Sequence, residues 1–128
     1  MKLLLDTHVF LWWIEGNTRL STKAGTLIAD PDCDVFVSVA TVWEIAIRAA
    51  LGQLEMPVDL GGFLRRELAE NGFESLPITF KHAVAVRDLP RRHQDPFDRL
   101  LICQSRAEKM TLVSADPAIA AYGTDVVW

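Results

Sequence analysis

Apolar positions along the chain follow two patterns. Short unbroken runs at Leu3–Leu5, Val35–Val39, Leu76–Ile78, Thr111–Val113 and Val126–Trp128 are too brief for helices. Several are β-branched or aromatic, and all read as strands. Between them lie stretches with helical spacing: Thr7–Ile14, Ser21–Ala29, Val42–Leu51, Leu60–Glu70, Lys81–Asp88, Pro96–Lys109 and a short turn at Pro117–Ala121. Gly52 stands where the third of these should stop, and Asn71-Gly72 where the fourth should. Alternation of this kind predicts an α/β fold with a parallel sheet covered on both faces, and near-continuous apolar strands are what double coverage requires. No repeat, linker or low-complexity run divides residues 1–128, so a single domain is expected.

In such folds ligands bind outside the carboxyl ends of the strands, so the strand-to-helix junctions carry the functional question. Four of them carry an acid: Asp6 directly after the first strand, Glu44 just inside the helix after the second, Asp98 in the first turn of the longest helix, and Asp116 after Thr111–Ser114. Each also has a structural reading. Asp6 makes a good N-cap, Thr41-Val42-Trp43-Glu44 has the form of a capping box, and Glu44 and Arg48 are spaced as an i,i+4 pair. In HQDPFDRLL, Asp95 is a natural N-cap, Pro96 fits the first helical position, and Asp98 meets the positive end of the helix dipole. Asp116-Pro117 repeats the cap-then-proline pattern.

Convergence of the four acids would carry an electrostatic cost. Two carboxylates about 4 Å apart repel by roughly 4 kcal/mol at an effective dielectric near 20. Some must then stay protonated or a cation must neutralise them. Carboxylate oxygens suit Mg²⁺ or Mn²⁺, and such a site can drive phosphodiester cleavage.

Composition changes this picture little. Net charge is −4, from 13 basic and 17 acidic residues, which at first counts against a nucleic-acid binder. With four acids committed to a cation, the remaining charges balance. Half the residues are hydrophobic, enough for a sizeable core. Cys33 and Cys103 form neither a disulfide framework nor a metal motif. There is no apolar run long enough to span a membrane, and the opening MKLLLDTH lacks the apolar stretch of a secretory signal, so a cytoplasmic protein is expected.

Five segments, taken in order, resemble the PIN-domain ribonucleases, and within them the VapC-type toxins of toxin–antitoxin pairs that carry a DPFDR signature. They are LLLDTHVFLWW, SVATVWEIAIRAALGQL, LPRRHQDPFDRLLICQS, TLVSADPAIAAYG and the closing VVW. The resemblance implies a three-layer α/β/α domain around a central parallel sheet of four to five strands. It also implies an Mg²⁺- or Mn²⁺-dependent endoribonuclease. It puts the family's four acids on Asp6, Glu44, Asp98 and Asp116, as catalytic and metal-holding residues. Thr7, Ser114, Asp95 and Arg48 take supporting positions. The implied partners are an RNA substrate, a cognate antitoxin (VapB- or Phd-like) and a second copy of the chain. Cys103 stands where the subgroup usually has alanine, and Arg48 where it often has lysine; neither removes an acid.

Arg87, Arg91, Arg92, His93 and Arg99 form the one dense basic patch, directly before Asp98. It is read either as an RNA-guiding surface or as a solvated loop. Arg48 is open to the same two readings, phosphate contact or pairing with Glu44. Nothing in the sequence positions His93 as a general base, and His8 and His82 are weaker candidates. Val9, Phe10, Leu11, Trp12, Trp13 and Ile14 leave no polar side on their short helix, which suggests full burial. Phe10, Leu11, Trp12 and Trp13 are candidates for an antitoxin or dimer interface, with plain core packing the other reading. Among rivals, a haloacid-dehalogenase-type phosphatase would need a second aspartate at position 8, where His8 stands. A receiver domain would need paired early acids and a late lysine. A non-catalytic PIN module, binding RNA or protein, is the remaining alternative.

Overall fold

In the computed structural model, which describes residues 1–128, five parallel strands stand in the order β3-β2-β1-β4-β5. They are β1 (Lys2–Leu5), β2 (Asp34–Ser38), β3 (Glu74–Leu76), β4 (Thr111–Val113) and β5 (Val126–Val127). Leu3 and Leu5 point into one apolar cluster and Leu4 into the other, and all three are fully buried. That alternation on a strand covered on both sides makes three layers. One cluster takes in α1 (Thr7–Glu15), α2 (Thr22–Ala29) and α4 (Leu60–Asn71). The other takes in α6 (Pro96–Glu108) and α7 (Pro117–Ala120), with α5 (Phe80–Ala85) and its 3₁₀ continuation Val86–Asp88 at its margin. α3 (Val39–Ala50) sends Ile45 to the first cluster and Ala40 to the second.

The α/β reading with helices on both faces matches this architecture, and three expectations are corrected. The second strand ends at Ser38, and α3 begins at Val39 rather than Val42. Ser38 Oγ accepts the Ala40 N–H at 3.0 Å and so starts the helix a turn early. The Thr41–Glu44 capping box therefore does not form, because Thr41 lies inside the helix, where its hydroxyl meets Thr7 Oγ1 at 3.2 Å. The third strand is Glu74–Leu76, not Leu76–Ile78; Pro77 has no N–H with which to continue the ladder. On α1 the single chain buries one part and leaves the other at the surface, as burial partly in an interface allows. Val9, Phe10 and Leu11 are enclosed, while Trp12, Trp13 and Ile14 are only half-buried.

A buried polar cluster joins the layers behind the sheet edge. Gln104, fully buried on α6, accepts the Ser38 hydroxyl at 2.6 Å and lies 3.3 Å from the Pro77 carbonyl and 3.4 Å from His82 Nδ1. His82 in turn meets Glu108 through Nε2 at 3.0 Å. His82 is thus a structural residue. The cluster fixes where α3 starts relative to α6, the two helices that carry Glu44 and Asp98. Gln104→Leu should cost about 1–3 kcal/mol by leaving the buried Ser38 hydroxyl unpaired, read as a lower urea midpoint with an unchanged slope.

Candidate functional site

The strand order reverses direction between β1 and β4, and this is where a parallel sheet opens a crevice at its carboxyl edge. Asp6 follows β1 and Asp116 follows β4, so the two stand on either side of that crevice. Asp6 caps α1, with the Val9 N–H donating to Oδ1 at 2.8 Å. Asp116 caps α7, with the Ala118 N–H donating to Oδ1 at 2.9 Å. Ser114 lies between them. Its Oγ accepts the Asp116 N–H at 3.1 Å, and its hydroxyl acts on the Asp6 carboxylate.

Asp98 enters from α6. Asp95 does the capping there, its Oδ1 accepting the N–H groups of Phe97 at 2.9 Å and Asp98 at 3.1 Å. Asp98 Oδ2 is left facing the crevice. Glu44 enters from α3 and is buried. Thr7 donates to its Oε1 at 2.7 Å, and Arg48 pairs with its Oε2 at 2.8 Å. Of the two readings for Arg48, this is the helix pair.

The electrostatics record the crowding. Burial, then the charges of Asp95, Asp6 and Glu44, push the Asp98 carboxyl from the usual 3.8 up to about 7, against the favourable influence of His93. Burial above all, with the charge of Asp116, also raises Asp6, while Ser114, the Val9 N–H and His8 pull it back. A carboxyl raised in this way marks a site where negative charge is held together against its own repulsion.

His93 is the residue that the sequence undervalued. Its Nε2 lies 2.8 Å from Asp98 Oδ2 and 3.2 Å from Asp116 Oδ2. Nδ1 faces the Asp95 N–H at 3.4 Å, which leaves the ring proton on Nε2 between the two carboxylates. The expectation that nothing positions His93 is overturned, because its loop is tied down from two sides. Tyr122 Oη accepts the N–H groups of Arg92 at 3.0 Å and His93 at 2.8 Å. Arg99 reaches back from α6 to the carbonyls of Pro90 at 2.9 Å, Leu89 at 3.0 Å and Val86 at 3.2 Å, and to Tyr122 Oη at 3.2 Å.

The basic patch divides accordingly. Arg99 is a loop anchor, since its guanidinium hydrogens are taken by carbonyls. Arg92 donates to the Ala121 carbonyl at 3.1 Å. Arg87, Arg91 and Arg99 line a cavity of about 380 Å³ with Val86, His93, Gln94 and Pro96, and His93 joins it to the acids; Arg87 Nε also pairs with the exposed Asp88 at 3.3 Å. A second cavity of about 290 Å³ touches Asp6 and Asp116 from the other side and is walled by His8 and Trp12. Tyr122 was missed because a lone tyrosine near a chain terminus carries no motif.

The sequence profile of the PIN domain matches residues 3–124. The chain belongs to the PIN-domain family. Ribonuclease VapC22 of Mycobacterium tuberculosis is 28% identical over 121 residues, which is 94% of this chain and 91% of that protein. Among solved structures, VapBC2 of Rickettsia felis bound to a promoter DNA fragment superposes with a TM-score of 0.73 at 15% identity, covering 99% of this PIN chain and 98% of that one. FitAcB of Neisseria gonorrhoeae gives 0.67 at 21% identity, covering 98% and 96%. These likenesses bear on the fold of the domain.

The raised Asp98 carboxyl couples stability to pH. The folded chain keeps a proton there that the unfolded chain releases above about pH 4. That contribution to stability is full at low pH and is lost as pH rises through about 7. In chelator, the parent should therefore lose thermal stability relative to Asp98→Asn between about pH 4 and pH 7, and the variant should be the more stable of the two at the upper end. Parallel melting curves that keep the same spacing at every pH would refute the raised carboxyl. Asp95→Ala should cost about 1 kcal/mol as loss of a cap.

Proposed function

We propose that this PIN domain is a metal-dependent endoribonuclease that acts as the toxin of a toxin–antitoxin pair. The observation that carries the reading is the meeting of Asp98 and Asp116 beside His93, with Asp6 and Glu44 near enough for their charges to act on Asp98, whose carboxyl burial above all raises to about 7. The donor set fits Mg²⁺ or Mn²⁺ through the oxygens of Asp98, Asp116 and Asp6 that the helix caps leave over, while Thr7 and Arg48 hold both oxygens of Glu44. Asp6, Asp98 and Asp116 would hold the ion, with Glu44 completing the site. When bound, the ion would supply the charge that offsets the phosphate and acidifies water for attack.

The chain's own residues do the rest. Thr7 and Arg48 fix the Glu44 carboxylate, and Ser114 orients Asp6 and Asp116. Arg87 and Arg91, at the mouth of the larger cavity, offer charge to an RNA backbone entering beside Asp98. Arg92 and Arg99, which the sequence left open to RNA contact or a plain loop face, also bond loop carbonyls. Cleavage by water in line at phosphorus would leave a 5′-phosphate and a 3′-hydroxyl.

The comparison with Ribonuclease VapC22 supports the nuclease reading, and structural neighbours described as toxin–antitoxin complexes support the partner. Two apolar surfaces are available to an antitoxin and to a second copy of the chain. One is the half-buried Trp12 and Trp13 on α1, beside the Asp6 cavity. The other is the exposed row Val39, Trp43, Ile47 and Leu51, spaced four apart along α3. No helix is long and apolar enough to cross a membrane.

Asp98→Asn and Asp6→Asn should each lower RNA cleavage in Mg²⁺ by roughly 100-fold or more, scored on a labelled structured RNA. Both should fold, because Asp95 and the α1 backbone keep the helices in place. Cutting at near-parent rates by both variants would end the nuclease assignment.

A further inference from the structure

The acids account for a cation, but they leave the imidazole between two of them unexplained. Nε2 of His93, Oδ2 of Asp98 and Oδ2 of Asp116 all lie within 4.8 Å of one another. The nitrogen is 2.8 Å from one oxygen and 3.2 Å from the other. Two neighbouring donors on an octahedral ion with bonds of about 2.1 Å stand roughly 3 Å apart. The ring is thus at the spacing of an adjacent ligand. It is also built in, since its loop is tied down by Tyr122 Oη and by Arg99 through the Pro90 and Leu89 carbonyls.

We infer that His93 is itself a ligand of the divalent ion, supplying a nitrogen donor beside Asp98 and Asp116, and that it tilts the site toward Mn²⁺ over Mg²⁺. This rests on the proposed metal site and refines it. In the metal-free protein the Nε2 proton bridges the two carboxylates. As a ligand, Nε2 would present its lone pair and the ring proton would stand on Nδ1, in place of the long 3.4 Å contact with the Asp95 N–H. The 2.8 Å and 3.2 Å contacts of Nε2 with Asp98 and Asp116 Oδ2 would give way to ligation shared by all three. Mg²⁺ takes oxygen donors and keeps its waters, whereas imidazole suits the later divalent metals, so one nitrogen in an oxygen set discriminates between the two.

The test is pulsed electron paramagnetic resonance of Mn²⁺ bound to the full chain. The parent protein should show coupling to a single imidazole nitrogen, altered by ¹⁵N-histidine labelling. His93→Gln should remove the coupling and weaken Mn²⁺ by about 10-fold or more in calorimetry, with a much smaller change for Mg²⁺. His8→Gln, which alters the other histidine near Asp6, should leave the coupling in place. Mn²⁺ bound at stoichiometry without nitrogen coupling, or coupling that disappears with His8, overturns the ligand assignment and leaves the metal site standing. Failure of the parent to bind either ion overturns both. The spectrum of the parent alone decides the matter if His93→Gln does not fold.

Discussion

Like charge held together at the open end of a parallel sheet is the constraint on which the rest of the structure depends. Carboxylates brought within a few ångströms cost several kcal/mol, and a stable chain must offset that cost locally. Here each acid has its own offset. Arg48 pairs with Glu44, backbone N–H groups meet Asp6 and Asp116, and the His93 imidazole lies between Asp98 and Asp116. Asp98 still keeps a carboxyl raised to about 7, by burial first and by the charges of Asp95, Asp6 and Glu44 after it.

Much of the scaffold exists to bring charge to that place and hold it. The buried Gln104 ties the start of α3 to α6, which sets the distance between Glu44 and Asp98. Arg99, one residue after Asp98, turns away from the crevice and binds the preceding loop through its carbonyls, which brings His93 over the acids. Tyr122 does the same from beyond α7. Adjacent positions on α6 therefore serve opposite ends of one arrangement: one supplies the carboxylate, and the next fixes the residue that faces it.

The sheet and its layers were legible in the sequence because double burial leaves uninterrupted apolar runs, and β1 is the plainest case. The acids were legible as a set because each follows a strand or opens a helix. Boundaries were less so where two capping residues compete. Ser38 and Thr41 both suit a helix start, and the choice depends on Gln104 and Thr7, which are distant in sequence. The same holds for the basic patch. A run of arginines reads as one surface, yet Arg99 and Arg92 also bond carbonyls that only the folded loop presents, and Arg87, Arg91 and Arg99 share the cavity. The apolar row Val39, Trp43, Ile47 and Leu51 was hidden because Val39 was read as the end of the second strand, which broke the four-residue spacing.

Capping and chemistry look like competing explanations of an aspartate at a helix start, but a carboxylate has two oxygens. Asp116 gives Oδ1 to the Ala118 N–H and turns Oδ2 to His93. One residue therefore fills both roles at α7. On α6 the roles are divided between residues three apart, since Asp95 Oδ1 takes both capping bonds and Asp98 keeps Oδ2 for the crevice. The division has a physical ground. A cap oxygen is fixed against the helix end, whereas Asp98 at the third helical position projects a turn further along, toward β1 and β4. Pro96 locks the backbone between the two, so the spacing of DPFD keeps the capping oxygen and the free one on separate residues while both stay at the positive end of the same helix.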